Sequence, residues 1–267
     1  MQRFVLLVSM VALSISAQAK SLCEVSGPLD RITCPSRELE ISGSDFKRAV
    51  RYATPAGKAP KEGWPAVIIY QGSFFDVEFS RQKVLPFGGY NEIRLIQSLL
   101  DSGFAVVAPR AIAGVAWMTN IIGVDYEKSQ DFDFIQQLLK DMKAKRFGKL
   151  NMQRLYATGI SSGGYHSSRM AVSFPGVFKA LAIESASFAD CKGPLCFVPD
   201  VIPQNHPPTL FLHGEDDRVV PVETMLSYYE KLKRRGVEAE YFVDPTAGHQ
   251  WLDDSPELIT EWFLRHP

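Results

Sequence analysis

The apolar run Leu155-Tyr156-Ala157-Thr158 passes directly into Gly159-Ile160-Ser161-Ser162-Gly163-Gly164, and helix formers follow from Tyr165 until Pro175-Gly176 stops them. A serine between glycines at a strand-to-helix junction is the signature of a nucleophile elbow. The serine takes strained backbone angles, and glycines two before and two after it let the turn close. Ser161 fits. Ser162 does not, because Ile160 occupies the place of its first glycine. A glycine-rich turn without chemistry satisfies the same bare pattern, so partners elsewhere in the chain decide its meaning.

Around this element strand and helix patterns alternate. A hairpin is predicted from residues 37–41 and 46–53, then a turn-rich crossing over 55–65. Residues 66–70 are a continuous apolar strand, of the kind buried on both faces of a parallel sheet. Helices are predicted over 92–102, 131–146, 165–174, 224–235 and 256–264, and strands over 104–108, 155–160, 180–184, 209–212 and 240–243. This order predicts an α/β protein with a mostly parallel, doubly wound sheet, helices on both faces, and reactive loops at the carboxyl ends of the strands. A Pro- and Cys-containing insertion at 186–208 is read as a small lid.

Residues 1–19 hold one basic residue, Arg3, then an apolar run and Ala17-Gln18-Ala19, which reads as a secretory signal peptide cleaved before Lys20. That run is too short to span a bilayer and no later run reaches the necessary length, so no stable membrane anchor is expected. Cys23 does not suggest a lipoprotein, since Leu22 precedes it where a small residue is needed. The expectation is a secreted protein, released to the periplasm or the medium, with residues 20–267 as one catalytic domain. A net charge of −1, with the basic cluster 231–235 at a helix end, argues against nucleic acid. The oligomeric state is not legible.

Four cysteines, Cys23, Cys34, Cys191 and Cys196, suit an oxidising compartment and allow three pairings. Local pairing, Cys23 with Cys34 and Cys191 with Cys196, is expected, since each pair brackets a short loop containing Pro and Gly. No C-x₂-C or H-x₃-H spacing is present, so no metal is expected.

If Ser161 is a nucleophile on such a sheet, an acid and a histidine should follow in that order. After the strand at 209–212 comes His213-Gly214-Glu215-Asp216-Asp217-Arg218-Val219-Val220-Pro221, where Asp217 holds the acid position of the H-G-x-x-D-x-x-V-P pattern and Asp216 is its rival. After the last strand comes Ala247-Gly248-His249-Gln250-Trp251. His249 is the candidate base. His166, His206, His213 and His266 read as structural or solvated. An oxyanion hole needs two backbone N–H groups. Ser162, next after the nucleophile, supplies one; Ser73 in Gln71-Gly72-Ser73-Phe74-Phe75 is the candidate for the second, with Gly72 as alternative.

Together Gly159-Ile160-Ser161-Ser162-Gly163-Gly164, Asp217 in its H-G-E-D-D loop and His249 in A-G-H-Q-W resemble the extracellular medium-chain-length polyhydroxyalkanoate depolymerases. The resemblance runs over most of the chain after residue 19. It implies an α/β-hydrolase, secreted by a bacterium, that cleaves ester bonds of poly(3-hydroxyalkanoates) with side chains such as that of 3-hydroxyoctanoate. A general exported carboxylesterase, lipase or polyester hydrolase, a serine peptidase with the same triad, and a non-catalytic hydrolase-like binding protein are the alternative readings. Covalent acyl transfer by such a triad requires no cofactor. The chain has no separate substrate-binding domain, so attachment to a hydrophobic polyester falls to the catalytic domain. Phe74 and Phe75 beside the oxyanion loop, Trp117 in Val115-Ala116-Trp117-Met118, and Trp251 after His249 are the substrate-contact candidates; Phe79, Phe188 and Phe197 extend the expected apolar rim.

Overall fold

The computed structural model describes residues 21–43, 46–199 and 201–267. The signal peptide expected at 1–19 lies outside the described residues, as do Ser44 and Asp45 in the turn of the first predicted hairpin. The strands are β1 (Glu24–Ser26), β2 (Arg31–Thr33), β3 (Arg37–Ser42), β4 (Lys47–Ala53), β5 (Trp64–Tyr70), β6 (Ser80–Arg81), β7 (Ala105–Pro109), β8 (Leu150–Ile160), β9 (Ala180–Glu184), β10 (Thr209–Gly214) and β11 (Ala239–Asp244). The helices are α1 (Gly89–Asp101), α2 (Gln130–Lys143), α3 (Ser162–Ser173), α4 (Val222–Arg234) and α5 (Ser255–Arg265).

Eight strands form one sheet in the order β11-β10-β9-β8-β5-β7-β4-β3. Only β4 opposes its neighbours, pairing antiparallel with β3 and β7; the other pairs are parallel. All of β5 is buried, and its side chains alternate between two cores. Ala66, Ile68 and Tyr70 join Phe134, Ile135 and Leu138 of α2, Met170 of α3 and Met225, Tyr228 and Leu232 of α4. Val67 and Ile69 join Ile93, Ile96 and Leu99 of α1 and Ile259, Trp262 and Phe263 of α5. Helices α1, α2, α4 and α5 each bury one apolar stripe, which is what their sequence period predicts; α3, behind the elbow, is buried nearly all round, His166, Ser167, Ser168 and Arg169 included. From β5 the chain moves to β7 on one side and then crosses to β8 on the other, so the carboxyl ends of β5 and β8 flank the point where the winding reverses. That crevice is where sheets of this kind bind ligands.

Three differences from the sequence reading have physical causes. A second sheet, β1-β2-β6, was not legible because strands of two or three residues carry no measurable alternation. The Cys23–Cys34 disulfide brackets its β1–β2 hairpin. Strand β8 begins at Leu150 rather than 155, its polar first half pairing only at Trp64 across an irregularity in the β5 ladder. The insertion 186–208, read as a lid, does not wall the pocket that holds Ser161. Closed by Cys191–Cys196 and an Asp190–Phe197 bridge, it lines a separate groove with Asn120, Tyr165, Glu223 and Thr224. No helix of the described residues is long and apolar enough to cross a membrane.

Candidate active site

Ser161 sits between β8 and α3 with φ 54° and ψ −121°, a conformation that L residues avoid and that persists only where surroundings enforce it. They do so here by crowding. A β-carbon added to Gly163 would lie 2.1 Å from the Tyr70 carbonyl, and one on Gly159 would lie 2.5 Å from the same oxygen. The elbow can therefore press against the end of β5 only with glycine at both places. The Ser161 N–H donates to the Glu184 carbonyl at 3.0 Å.

Ser162 opens α3, so its N–H is one of the four that a helix leaves without an internal partner, at the positive end of the helix dipole. Its hydroxyl accepts the Trp117 N–H at 2.9 Å. Facing it, the loop after β5 is held by Gln71: Oε1 accepts the Ala111 N–H at 2.9 Å, and Nε2 donates to the Gly114 carbonyl at 3.2 Å. The Phe74 N–H is engaged by Val115 O at 2.7 Å and is no oxyanion donor. A β-carbon on Gly72 would stand 4.0 Å from Ser161 Cβ, which places this backbone beside the serine.

Asp217 follows β10. Its Oδ1 accepts the N–H groups of Val219 and Val220 at 2.9 and 2.8 Å, and its Oδ2 meets His249 Nδ1 at 2.8 Å. Asp216, the rival acid, is exposed. His213 lies behind this pair, its Nε2 2.8 Å from Val220 O and 3.4 Å from Asp217 Oδ2; burial pushes its pKa down, so the ring is a neutral buttress. The glycine of the H-G-E-D-D loop has a steric cause too, since a β-carbon on Gly214 would lie 2.3 Å from Ala247 O in the histidine loop. That loop is pinned at three further points. Trp251 N–H donates to Phe87 O at 3.1 Å, Leu252 N–H to Glu184 Oε1 at 3.3 Å, and Ser185 Oγ to Gln250 O at 3.1 Å.

Ser161 and His249 share a cavity of about 250 Å³ with Gly72, Ser73, Phe74, Phe75 and Trp251. Phe74 and Phe75 are 73% and 47% exposed, at its mouth. Trp251 is buried and forms cavity wall rather than outer rim. Trp117 requires a correction: fully buried, it packs against Tyr70 and His166, and its Nε1 donates to Gln71 O, so it is core and meets no substrate. Phe79 and Phe188 are likewise buried, whereas Phe197 is exposed beside the neighbouring groove. Besides Ile160 of the elbow, the sequence reading missed six wall residues, Arg81, Pro86, Phe87, Gly89, Glu92 and Val219, and of these six only Val219 stood in a recognised motif.

An eight-stranded α/β sheet with a strained serine at its switch point and an Asp–His pair on the following loops defines a serine hydrolase of the α/β-hydrolase fold. Solved structures of that fold agree. The acylaminoacyl peptidase of Pyrococcus horikoshii superposes with a TM-score of 0.61 at 18% identity, over 88% of this chain, which spans 42% of that larger protein. A dienelactone hydrolase-like promiscuous phosphotriesterase, P91, from metagenomic libraries gives a TM-score of 0.63 at 15% identity, covering 87% of this chain and 98% of that one. The model of the prolyl oligopeptidase family (Peptidase_S9) matches residues 197–265. The sequence narrows the class: over 229 residues it is 53% identical to the poly(3-hydroxyoctanoate) depolymerase of Pseudomonas fluorescens, covering 85% of this chain and 82% of that one. The chain belongs to the poly(3-hydroxyoctanoate) depolymerase family.

Proposed function

We propose that this protein cleaves the ester bonds of medium-chain-length poly(3-hydroxyalkanoates), with Ser161 as nucleophile, His249 as general base and Asp217 as the group that orients it. The observation that carries the reading is the 2.8 Å contact of Asp217 Oδ2 with Nδ1 of His249, which lines the same pocket as Ser161. Asp217 fixes the tautomer in which Nε2 is free to take the Ser161 proton as the hydroxyl attacks the ester carbonyl. Ser162 N–H, with that of Ser73 or Gly72, receives the oxyanion. The alcohol portion leaves with the proton from His249, and water then hydrolyses the acyl-enzyme with His249 again as base.

Identity to the Pseudomonas fluorescens depolymerase supports the polyester as substrate, and the exposed Phe74, Phe75 and Phe87 give the pocket mouth the apolar surface that a solid polymer requires. Two disulfides and the reading of residues 1–19 support export as a soluble enzyme. The test is clearing of poly(3-hydroxyoctanoate) and polyhydroxybutyrate latexes beside hydrolysis of a p-nitrophenyl ester and of a peptide nitroanilide. Clearing of the first latex, lost in Ser161→Ala, is the expected result. Peptide cleavage without polymer clearing would replace this reading with a peptidase, the activity named in the Pyrococcus structure.

A further inference from the structure

Apart from Ser73, Ser161 and His249, the polar side chains lining the cavity are Arg81, from β6, and Glu92, from the first turn of α1, beside Phe75, Phe87 and Trp251. Glu92 is 4% exposed and the Arg81 side chain 14%. Arg81 Nη2 donates to Asp76 O at 2.6 Å. Its Nε, however, stands 3.4 Å from Glu92 Oε1, and both atoms are buried without a hydrogen-bond partner. A buried donor and a buried acceptor on one cavity wall, ion-paired but with neither hydrogen bond made, can be bridged by a ligand group.

We propose that Arg81 and Glu92 form a subsite for the free 3-hydroxyl of a chain-terminal hydroxyacyl unit held on Ser161, so that units are released from the hydroxyl end of the substrate. The inference rests on the assignment of Ser161 as nucleophile. A hydroxyl is the smallest neutral group that donates to a carboxylate and accepts from a guanidinium at the same time. The ester oxygen of an internal unit only accepts, and leaves Glu92 Oε1 without a donor. A plain acyl chain satisfies neither. Burial pushes the Glu92 carboxyl up to about 7 against the pull of Arg81, of the Glu78 main-chain N–H and of the Trp251 side chain.

The experiment compares three soluble p-nitrophenyl esters, of 3-hydroxyoctanoate, of 3-acetoxyoctanoate and of octanoate, with the full protein. A site built around a hydroxyl discriminates strongly against analogues lacking it, so kcat/KM for the free hydroxyl should exceed both others by about tenfold or more. Glu92→Leu and Arg81→Met, which remove the acceptor and the donor, should each bring that ratio close to one. Wild-type ratios near one would overturn the subsite without any variant being needed. So would folded variants that keep the wild-type ratio, or that slow all three esters equally. Failure of the underlying assignment looks different: ester hydrolysis would then survive in Ser161→Ala, whatever the ratio.

Discussion

The main-chain carbonyl of Glu184 accepts the N–H of Ser161 at 3.0 Å, and the carboxyl of the same residue accepts Leu252 N–H at 3.3 Å and Ser255 Oγ at 2.6 Å. One residue at the end of β9 therefore ties the elbow to the loop that carries His249. Burial holds its pKa well above the ordinary carboxyl value, against the pull of the Ser255 and Leu252 hydrogen bonds. Glu184→Gln, which keeps the shape and hydrogen-bonding capacity of the side chain, should leave stability within about 1 kcal/mol of wild type. Glu184→Ala leaves the Leu252 and Ser255 groups unpaired beside a void, and should cost about 2–4 kcal/mol. Urea unfolding checks both values. The Ala variant should also lose kcat with KM nearly unchanged, because the serine and histidine drift apart while the binding walls stay.

Asp217 and Asp216 are adjacent in sequence, yet only Asp217 reaches His249. Asp217→Asn should lower kcat by roughly 10³–10⁴, the range for loss of the oriented tautomer in triad enzymes. Asp216→Asn should change it less than about threefold, as expected for an exposed side chain. Steady-state kinetics on a soluble ester decide, and the opposite ranking would move the acid role to Asp216.

The Ser162 hydroxyl accepts the Trp117 N–H, so Ser162→Ala strands a buried donor. A loss of about 1–3 kcal/mol in stability is expected, with ester hydrolysis retained because the oxyanion donor is backbone. Near-complete inactivation of a folded Ser162→Ala protein would contradict that division of labour.

What could be read from the sequence was whatever has a short-range steric or periodic cause. The glycines around Ser161 are demanded by the approach of Tyr70 O, and Gly214 by that of Ala247 O, so the motifs that mark serine, acid and histidine survive as local patterns. Strand β9 was predicted at its observed bounds because Ala180-Leu181-Ala182-Ile183 is a short unbroken apolar run. Long-range burial was not legible. Trp117 in a loop reads the same whether it faces solvent or core, and only the three-dimensional path puts it against Tyr70 and His166. Glu92 in the first turn of a helix reads as a solvated partner of the helix dipole, whereas packing of α1 against β6 buries it beside Arg81.

Trp117 and Phe75 should now behave oppositely. Trp117→Ser removes a fully buried indole and should cost about 3–5 kcal/mol, lowering polymer and soluble-ester rates together. Phe75→Ser removes a half-exposed ring at the pocket mouth and weakens adsorption by about 1–3 kcal/mol, which lowers polymer clearing relative to soluble-ester hydrolysis at an unchanged melting temperature. The readout is the ratio of the two rates beside a melting curve. A lowered melting temperature with a constant ratio in Phe75→Ser would place that ring in the core.

Glu92 makes the stability of the protein depend on pH in a direction opposite to that of an ordinary salt-bridged acid. Burial, opposed by Arg81, raises its pKa from the ordinary 4.5 to about 7. Between those values the folded state keeps a proton that the unfolded chain has released, so this group lowers stability as pH rises through the window. At about 1.4 kcal/mol per unit, the loss reaches about 3 kcal/mol above pH 7 and is absent below 4.5. Glu92→Gln cannot ionise, so its stability relative to wild type should climb across the same window and level off beyond it. Paired urea titrations of the two proteins at several pH values measure that difference directly. A difference that stays flat with pH would mean that Arg81 holds Glu92 ionised in the folded protein throughout, and that the pair satisfies itself without a ligand.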